Sequence, residues 1–334
     1  MPVAEFMALA NAEYYATHPA IGAAGDFITA PEISQMFGEM VGLWCADMWQ
    51  RARQPATHLV ELGPGRATLA DDALRAMRRA GFEPSVHLVE TSPALREAQK
   101  ELIENATWHE RITTLPEDKP LLIIANEFFD ALPVRQFIRT LAGWRERMVR
   151  NGFDGLEPCP GEKPSEAIVP ARLHDADPGG IWEDSPASVR MMRALAKRVG
   201  KQGGAILVID YGYAGYAAGD TLQAVHAHAY ADPFARPGRS DLSAHVDFTA
   251  LARAGEGQGL TAFGPATQGD WLTELGIGTR AALLGRANPT RINQIEAARR
   301  RLIDPQEMGE LFKVLALAPD RWPDPTGFPP PPLR

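Results

Sequence analysis

Apolar residues along the chain follow two rhythms, a helical one of about 3.6 residues and short continuous runs, and the two alternate. Ile33, Phe37, Met40, Trp44 and Met48 recur at helical spacing and predict one buried stripe. Thr29-Ala30-Pro31-Glu32 just before it reads as a capping box, with Thr29 as N-cap, Glu32 as its N3 partner and Pro31 in the first turn. Residues 1–24 read as a helix and then a loop. His58 to Leu62 is a short strand, Gly63-Pro64-Gly65 a tight turn, and 68–80 a helix closed by Gly81. Val86 to Glu90 is a second strand, after which Ser92 and Pro93 open another helix. Leu121–Asn126 and Gly204–Ile209 are runs of the buried-strand type, the latter leading into Asp210-Tyr211-Gly212. Residues 134–150 read as a hairpin interrupted near Ala142-Gly143, 185–199 as a helix, 248–305 as mainly helical and 311–318 as a final strand. The stretches 151–183 and 214–246 lack periodicity and read as irregular. The tail ending in Pro329 to Pro332 reads as extended and mobile. Strands alternating with helices at this spacing predict an α/β fold with a mostly parallel sheet covered on both faces.

Composition narrows the partners. At 334 residues the chain has room for one large α/β core with insertions, or two joined lobes. The formal charge of -8, without a long basic stripe, argues against nucleic acid. Cys45 and Cys159 stand far apart, which excludes a disulfide scaffold and a structural zinc site and fits a reducing compartment. The first residues lack the basic and apolar regions of a secretory signal, and no apolar run is long enough to span a bilayer. The expectation is a soluble, cytoplasmic protein with no membrane insertion. The Leu-rich stretch near 272–284 would serve either as an oligomer surface or as cover for the core.

The strongest local signal is Val60-Glu61-Leu62-Gly63-Pro64-Gly65-Arg66-Ala67-Thr68, between a strand and a helix. Glycines there admit positive φ and close backbone approach to a ligand. Glu90, at the end of the next strand, can accept hydrogen bonds from both ribose hydroxyls of a nucleoside. A dinucleotide fingerprint needs Gly or Ala three residues after the second glycine, where Thr68 stands. The pattern, acidic-x-Gly-x-Gly-x-small from Glu61, suits S-adenosylmethionine better, since that ligand has no pyrophosphate. The plainer alternative is a strand-to-helix turn with no ligand.

Longer segments carry a family resemblance. Gly25-Asp26-Phe27-Ile28-Thr29-Ala30-Pro31-Glu32-Ile33-Ser34-Gln35-Met36-Phe37-Gly38-Glu39 is similar to the N-terminal signature of the MidA family, the mitochondrial complex I assembly methyltransferases and their bacterial relatives. The same family pattern runs through Glu61 to Arg66, Ala125 to Pro133, Asp210 to Gly212, Asp241 to Phe248, Gly264 to Gly269 and Met308 to Leu315. The matches keep family order over nearly the whole chain. One departure is Ala67, where the family usually has Gly. The resemblance implies a Rossmann-like, seven-stranded methyltransferase fold with helical insertions and S-adenosylmethionine as cofactor. It also implies a protein arginine on a complex I subunit as substrate, and a mitochondrial matrix location for the eukaryotic relatives. On this basis the chain divides into an N-terminal helical segment (1–52), a cofactor-binding core (53–215, with an insertion near 151–183), a substrate-facing part (216–320) and a Pro-rich tail (321–334).

Chemistry then suggests roles. A guanidinium stays protonated to a pKa above about 12, and carboxylates can clamp it and localise its charge away from the attacking nitrogen. Asn126-Glu127-Phe128-Phe129-Asp130 follows a buried strand, where α/β folds bind ligands. Glu127 is the first candidate for the catalytic carboxylate and Asp130 the second, with a turn cap as the alternative for Asp130. Asp210 ends another strand and is a third, with a turn-forming role as its alternative. Glu61, Gly63, Pro64, Gly65, Glu90 and Asn126 are expected to hold the cofactor. Asp26, Glu32, Phe128, His245 and Asp247 are expected near the substrate, although Phe128 and Phe129 fit a core equally well. His226, His228 and His245 with Asp232, Asp241 and Asp247 lack a tight ligand cluster, so no metal is expected. The competing readings are a small-molecule methyltransferase, a non-catalytic assembly factor that keeps the cofactor site and, more distantly, a dehydrogenase.

Overall fold

The computed structural model describes residues 1–17, 29–215, 218–226 and 229–329. The chain opens with α1 (Val3–Thr17), α2 (Ala30–Ile33) and α3 (Gln35–Arg51). An alternating unit follows: β1 (His58–Leu62), α4 (Thr68–Arg79), β2 (Ser85–Val89), α5 (Pro93–Leu102), β3 (Ala106–His109) and β4 (Leu121–Asn126). Four strands then run in succession, β5 (Arg135–Thr140), β6 (Gly143–Asn151), β7 (Leu156–Pro164) and β8 (Ile181–Asp184). After α6 (Pro186–Gln202) and β9 (Gly204–Tyr213) come β10 (Gln223–His226), β11 (Ala229–Ala231), β12 (Asp241–Ser243) and β13 (Val246–Asp247). The chain continues through α7 (Phe248–Glu256), β14 (Thr261–Thr267), α8 (Gln268–Glu274), α9 (Ile277–Ala287), α10 (Ile292–Ile303), α11 (Met308–Leu311) and β15 (Phe312–Ala318).

The central sheet has the order β14-β15-β9-β4-β1-β2-β3, with β13 beside the end of β9. Strands β3, β2, β1, β4 and β9 are parallel, and β15 runs against both its neighbours. Side chains alternate between the two faces, as the pleat requires. Val60, Leu62, Ile123, Ala125, Ile206 and Val208 pack with α6 and α7. Leu59, Leu88, Leu122, Ile124, Leu207 and Ile209 pack with α3 and α4. Helix α3 lies tight on α4, because a Cβ at Gly42 would come within 2.4 Å of the Ala73 carbonyl oxygen. This is the mostly parallel, doubly covered α/β sheet that the periodicity predicts.

The irregular-looking stretches hold more order than their patterns imply. Strands β7-β6-β5-β8 form an antiparallel sheet and β11-β10-β12 a second, so 151–183 and 214–246 are not simply loops. β7 carries Pro158, Pro160 and Pro164, which hide the strand in the sequence; an edge strand tolerates proline because one side needs no ladder bonds. The expected helical region from 248 is interrupted by β14. Helix α1 rests on these sheets through Val3, Phe6, Met7 and Ala10. The buried Asn11 side chain then bonds both the peptide N–H and the carbonyl of Leu242 and the carbonyl of Ala131. The tail is not loose through Phe328: the Trp44 indole and Arg51 donate to the Thr326 and Asp324 carbonyls, and Phe328 packs on the core. Among the described residues, no helix is long and apolar enough to cross a membrane.

A row of imidazoles crosses the parallel strands. Asp118 pairs with His58 at 2.9 Å, His58 with His87 at 3.0 Å, His87 with His109 at 2.9 Å, and His109 with the Thr114 hydroxyl at 2.9 Å. All three rings are buried. Burial first, then the neighbouring imidazoles, push His87 down from 6.5 to about 4. A base held below its unfolded pKa contributes stability that is full above pH 6.5 and is lost as pH falls towards about 4. In urea unfolding, the stability advantage of the wild type over His87→Gln should therefore shrink across that window. An advantage that stays constant would contradict the lowering of His87.

Candidate active site

The glycine loop begins where β1 leaves the sheet. Gly63 (φ 60°) and Gly65 (φ 54°) take the left-handed backbone, and the Gly63 N–H donates to the Val89 carbonyl at 3.0 Å. A Cβ on Gly63 would lie 3.1 Å from the Phe128 ring, so glycine there lets the ring settle on the loop. Ala67 is the N-cap of α4, with φ 64° and ψ 22°, and its methyl is fully buried. That conformation accounts for the glycine expected at this position. Glu90, just past β2, accepts from the Ser92 N–H at 2.8 Å, and its pKa is raised by burial against the pull of the Ser92 and Thr91 N–H groups.

A second turn leaves β4 alongside it. Asp210, fully buried on β9, accepts the backbone N–H groups of Phe128, Phe129 and Asp130 on one oxygen, at 3.0–3.2 Å. Its other oxygen accepts the Tyr211 N–H at 3.0 Å. The turn is tight enough to hold Glu127 at φ 47°, a region that side-chain-bearing residues rarely adopt. Asp130 is buried and receives the Tyr211 hydroxyl at 2.6 Å, while its Oδ1 has no partner. Glu127 accepts from the Ala30 N–H and the Asn126 amide, both at 3.3 Å. Burial, then the Asp130 charge, raises Glu127 to about 8. Burial raises Asp130 to about 6, and it raises Asp210 together with the charges of Asp130 and Glu127, against the backbone N–H donors.

The two turns enclose a bent crevice. A larger compartment of about 530 Å³ is lined by Glu90, Thr91, Glu110, Arg111, Ile112, Phe128, Met191 and, from α1, Asn11 and Tyr15. A smaller one of about 60 Å³ is lined by Glu32, Glu61, Pro64, Arg66 and Asn126. Gly63, Gly65 and Glu127 line both, so the carboxylate stands where the compartments meet. The smaller compartment gathers buried acceptors without partners: Glu61 Oε2, Asn126 Oδ1 and Glu32 Oε2. Burial alone raises Glu61 to about 8.

The expected residues that lie among the described ones fall into three groups. Glu61, Gly63, Pro64, Gly65, Glu90, Asn126, Glu127, Phe128 and Glu32 line the crevice. Only half of the capping box forms: the Thr29 N–H bonds back to the Glu32 carboxylate, but the Thr29 side chain makes no cap bond, Ser34 caps α3 through the Met36 N–H, and Glu32 keeps its Oε2 unpartnered. Asp130 and Asp210 lie behind the β4 turn, outside the crevice lining. His245 and Asp247 line an adjoining cavity of about 170 Å³ with Trp182, Glu183 and Tyr213, where Asp247 caps α7 through the Ala250 N–H at 2.9 Å. Asp26, His228 and the His226 side chain lie outside the described residues. Among the described residues, no group of three or more His, Cys, Asp or Glu is placed to hold a metal ion. Gln99 and Tyr15 carry no motif, since nothing in the sequence marks a polar group on a buried helix face, and Tyr211 lies within the Asp210 to Gly212 motif without a role expected of it.

Residues 40–266 match the model of a family described as S-adenosyl-L-methionine-dependent methyltransferase. The chain is 36% identical to protein arginine methyltransferase NDUFAF7, mitochondrial, of Danio rerio, over 94% of this chain and 82% of that protein. It is 35% identical to the Homo sapiens protein of the same name, over 92% and 76%. Among solved structures it is similar to a superfamily member from Burkholderia thailandensis bound to S-adenosyl-homocysteine. That match has a TM-score of 0.83 and 29% identity, over 98% of this chain and 89% of the other. Sheet order, glycine loop and relatives together define an enzyme that transfers a methyl group from S-adenosylmethionine. The chain belongs to the MidA family of these methyltransferases. The residues present fit the cofactor, because the unpartnered acceptors of the small compartment match an ammonium group and Glu90 at the large one matches ribose hydroxyls.

If Asp210 organises the β4 turn, Asp210→Asn leaves the backbone N–H cluster with one acceptor oxygen and a clashing amide. The expected cost is about 2 kcal/mol in denaturant unfolding. Unchanged stability would show that the turn holds without it.

Proposed function

We propose that this methyltransferase acts on a protein arginine, with Glu127 as the carboxylate that meets the guanidinium. The observation that carries the reading is the position of Glu127 at the junction of the two compartments, held there by a strained backbone. The names of the arginine methyltransferase relatives support the acceptor. A complex I subunit as the protein is a finer part of the reading, supported by the family resemblance; the cytoplasm as the place of action is another, supported by two separated free cysteines that fit a reducing compartment.

In this proposal Glu61, Asn126 and Glu32 receive the cofactor's ammonium, Gly63, Pro64 and Gly65 give its backbone room, and Glu90 takes the ribose. When bound, S-adenosylmethionine supplies an electrophilic methyl group on a sulfonium. The protein's task is to align a nitrogen with it at about 3 Å. Glu127, raised to about 8, is protonated at neutral pH in the free enzyme, and an arriving guanidinium draws it into its charged form. The carboxylate then orients the cation and receives the proton that the nitrogen sheds on methylation. Asp130 adds negative charge behind it, Asp210 positions the turn, and Phe128 supplies a flat wall. His245 and Asp247 would contact the substrate beyond the guanidinium, from the adjoining cavity.

The test uses labelled S-adenosylmethionine and extract from cells lacking the gene. One labelled protein band yielding methylarginine on hydrolysis supports the reading; label confined to small molecules would move the acceptor class. Glu127→Gln should bind S-adenosylhomocysteine within about threefold of wild type yet transfer about 100-fold more slowly. A normal rate would remove Glu127 from its role.

Cofactor binding should also depend on pH. Glu61 is raised to about 8, so an arriving ammonium must displace its proton. Affinity for S-adenosylhomocysteine therefore rises between about pH 6 and 8, with proton release. Calorimetry in buffers of different ionisation enthalpy measures both, and Glu61→Gln should flatten the profile. A flat wild-type profile would place the ammonium elsewhere.

A further inference from the structure

We infer that Gln99 is a positioning residue for the cofactor, locking the glycine loop and the ribose carboxylate into one unit. Gln99 is on α5 and fully buried, although no charge or packing demand of a helix face calls for an amide there. Its carbonyl oxygen accepts the Trp108 indole N–H at 2.8 Å. An indole N–H only donates, so this contact decides which way the amide points. The amide nitrogen must then face the other way, where it donates to the Gly65 carbonyl at 2.7 Å and to Glu90 Oε2 at 3.4 Å. Those groups belong to two elements, the glycine loop and the end of β2, and Gly65 and Glu90 both line the large compartment.

Physical consequences follow from the donor count. One NH₂ group offers two protons, and both are spent, one on each element. Glu90 Oε1 is already held by the Ser92 N–H, so the contact to Oε2 completes the orientation of the carboxylate. A ribose meeting it finds a preorganised acceptor, and the entropy of ordering is not charged to binding. The inference concerns the cofactor alone and does not depend on the identity of the methyl acceptor.

The experiment measures S-adenosylhomocysteine binding to the full chain by calorimetry, with melting temperatures alongside. Gln99→Met keeps the shape and loses the donors, so affinity should fall about tenfold at every pH, while kcat at saturating cofactor stays within about twofold. Gln99→Glu keeps the acceptor for Trp108 but sets a carboxylate against Gly65 O and Glu90. Its deficit relative to wild type should be about tenfold or more near pH 8.5 and below about threefold near pH 6, where the protonated acid can donate again. A purely structural role would lower the melting temperature without this pH-dependent recovery. Trp108→Phe, which leaves Gln99 in place but frees its amide to turn, should cost about threefold in affinity. Wild-type affinity in Gln99→Met, or a Gln99→Glu deficit equal at both pH values, would overturn the inference. If neither Gln99 variant folds, wild-type affinity in Trp108→Phe would do the same.

Discussion

The arrangement of the active site rests on one buried carboxylate. Asp210 gathers four backbone N–H groups, three of them from the turn that follows β4. A turn leaving a parallel strand exposes N–H groups that the sheet no longer satisfies, and burying them unpaired is costly. Asp210 answers that demand from the neighbouring strand, β9, and so couples the sheet to the geometry of Glu127 to Asp130. The positive φ at Glu127 sits between its own N–H bond to the Ile209 carbonyl and the three N–H groups that Asp210 holds just after it.

Charge follows from the same packing. Glu127 and Asp130 lie within one turn and Asp210 bonds to it from β9, while Glu61 and Glu32 line the small compartment with Glu127. Burial raises the pKa of each of them, and the crowding of negative charge adds to that at Glu127 and Asp210. A site built this way gains most from cationic ligands, which allow protons to leave and carboxylates to ionise. Both the sulfonium cofactor with its ammonium and a guanidinium acceptor have that character. The enzyme thus spends folding stability on groups that become comfortable only when the site is filled.

Much of this was legible from the residues, and the limits are physical. The continuous apolar runs at 58–62, 121–126 and 204–209 mark buried parallel strands, since both faces are covered. Glu61, Gly63, Gly65, Glu90 and Glu127 stand at strand ends, so chain position alone placed them on one edge of the sheet. The hairpin read over 134–150 is the β5–β6 pair, whereas β7, β8 and β10 to β12 give weaker signals because they are short or carry prolines at an edge. Glu32 shows another limit: its bond to the Thr29 N–H follows a local capping rule, while the compartment that its unpartnered Oε2 lines is a tertiary fact. Gln99 was invisible because its three partners come from three separate elements.

The most direct test of the account is a crystal structure of the chain with S-adenosylhomocysteine bound. The account predicts the amino group among Glu61, Asn126 and Glu32, the ribose on Glu90, and the sulfur at the junction beside Gly63, Gly65 and Glu127, with Glu127 still left-handed and facing it. A ligand seated in the His245–Tyr213 cavity, or a sulfur at the junction with Glu127 turned away, would contradict it.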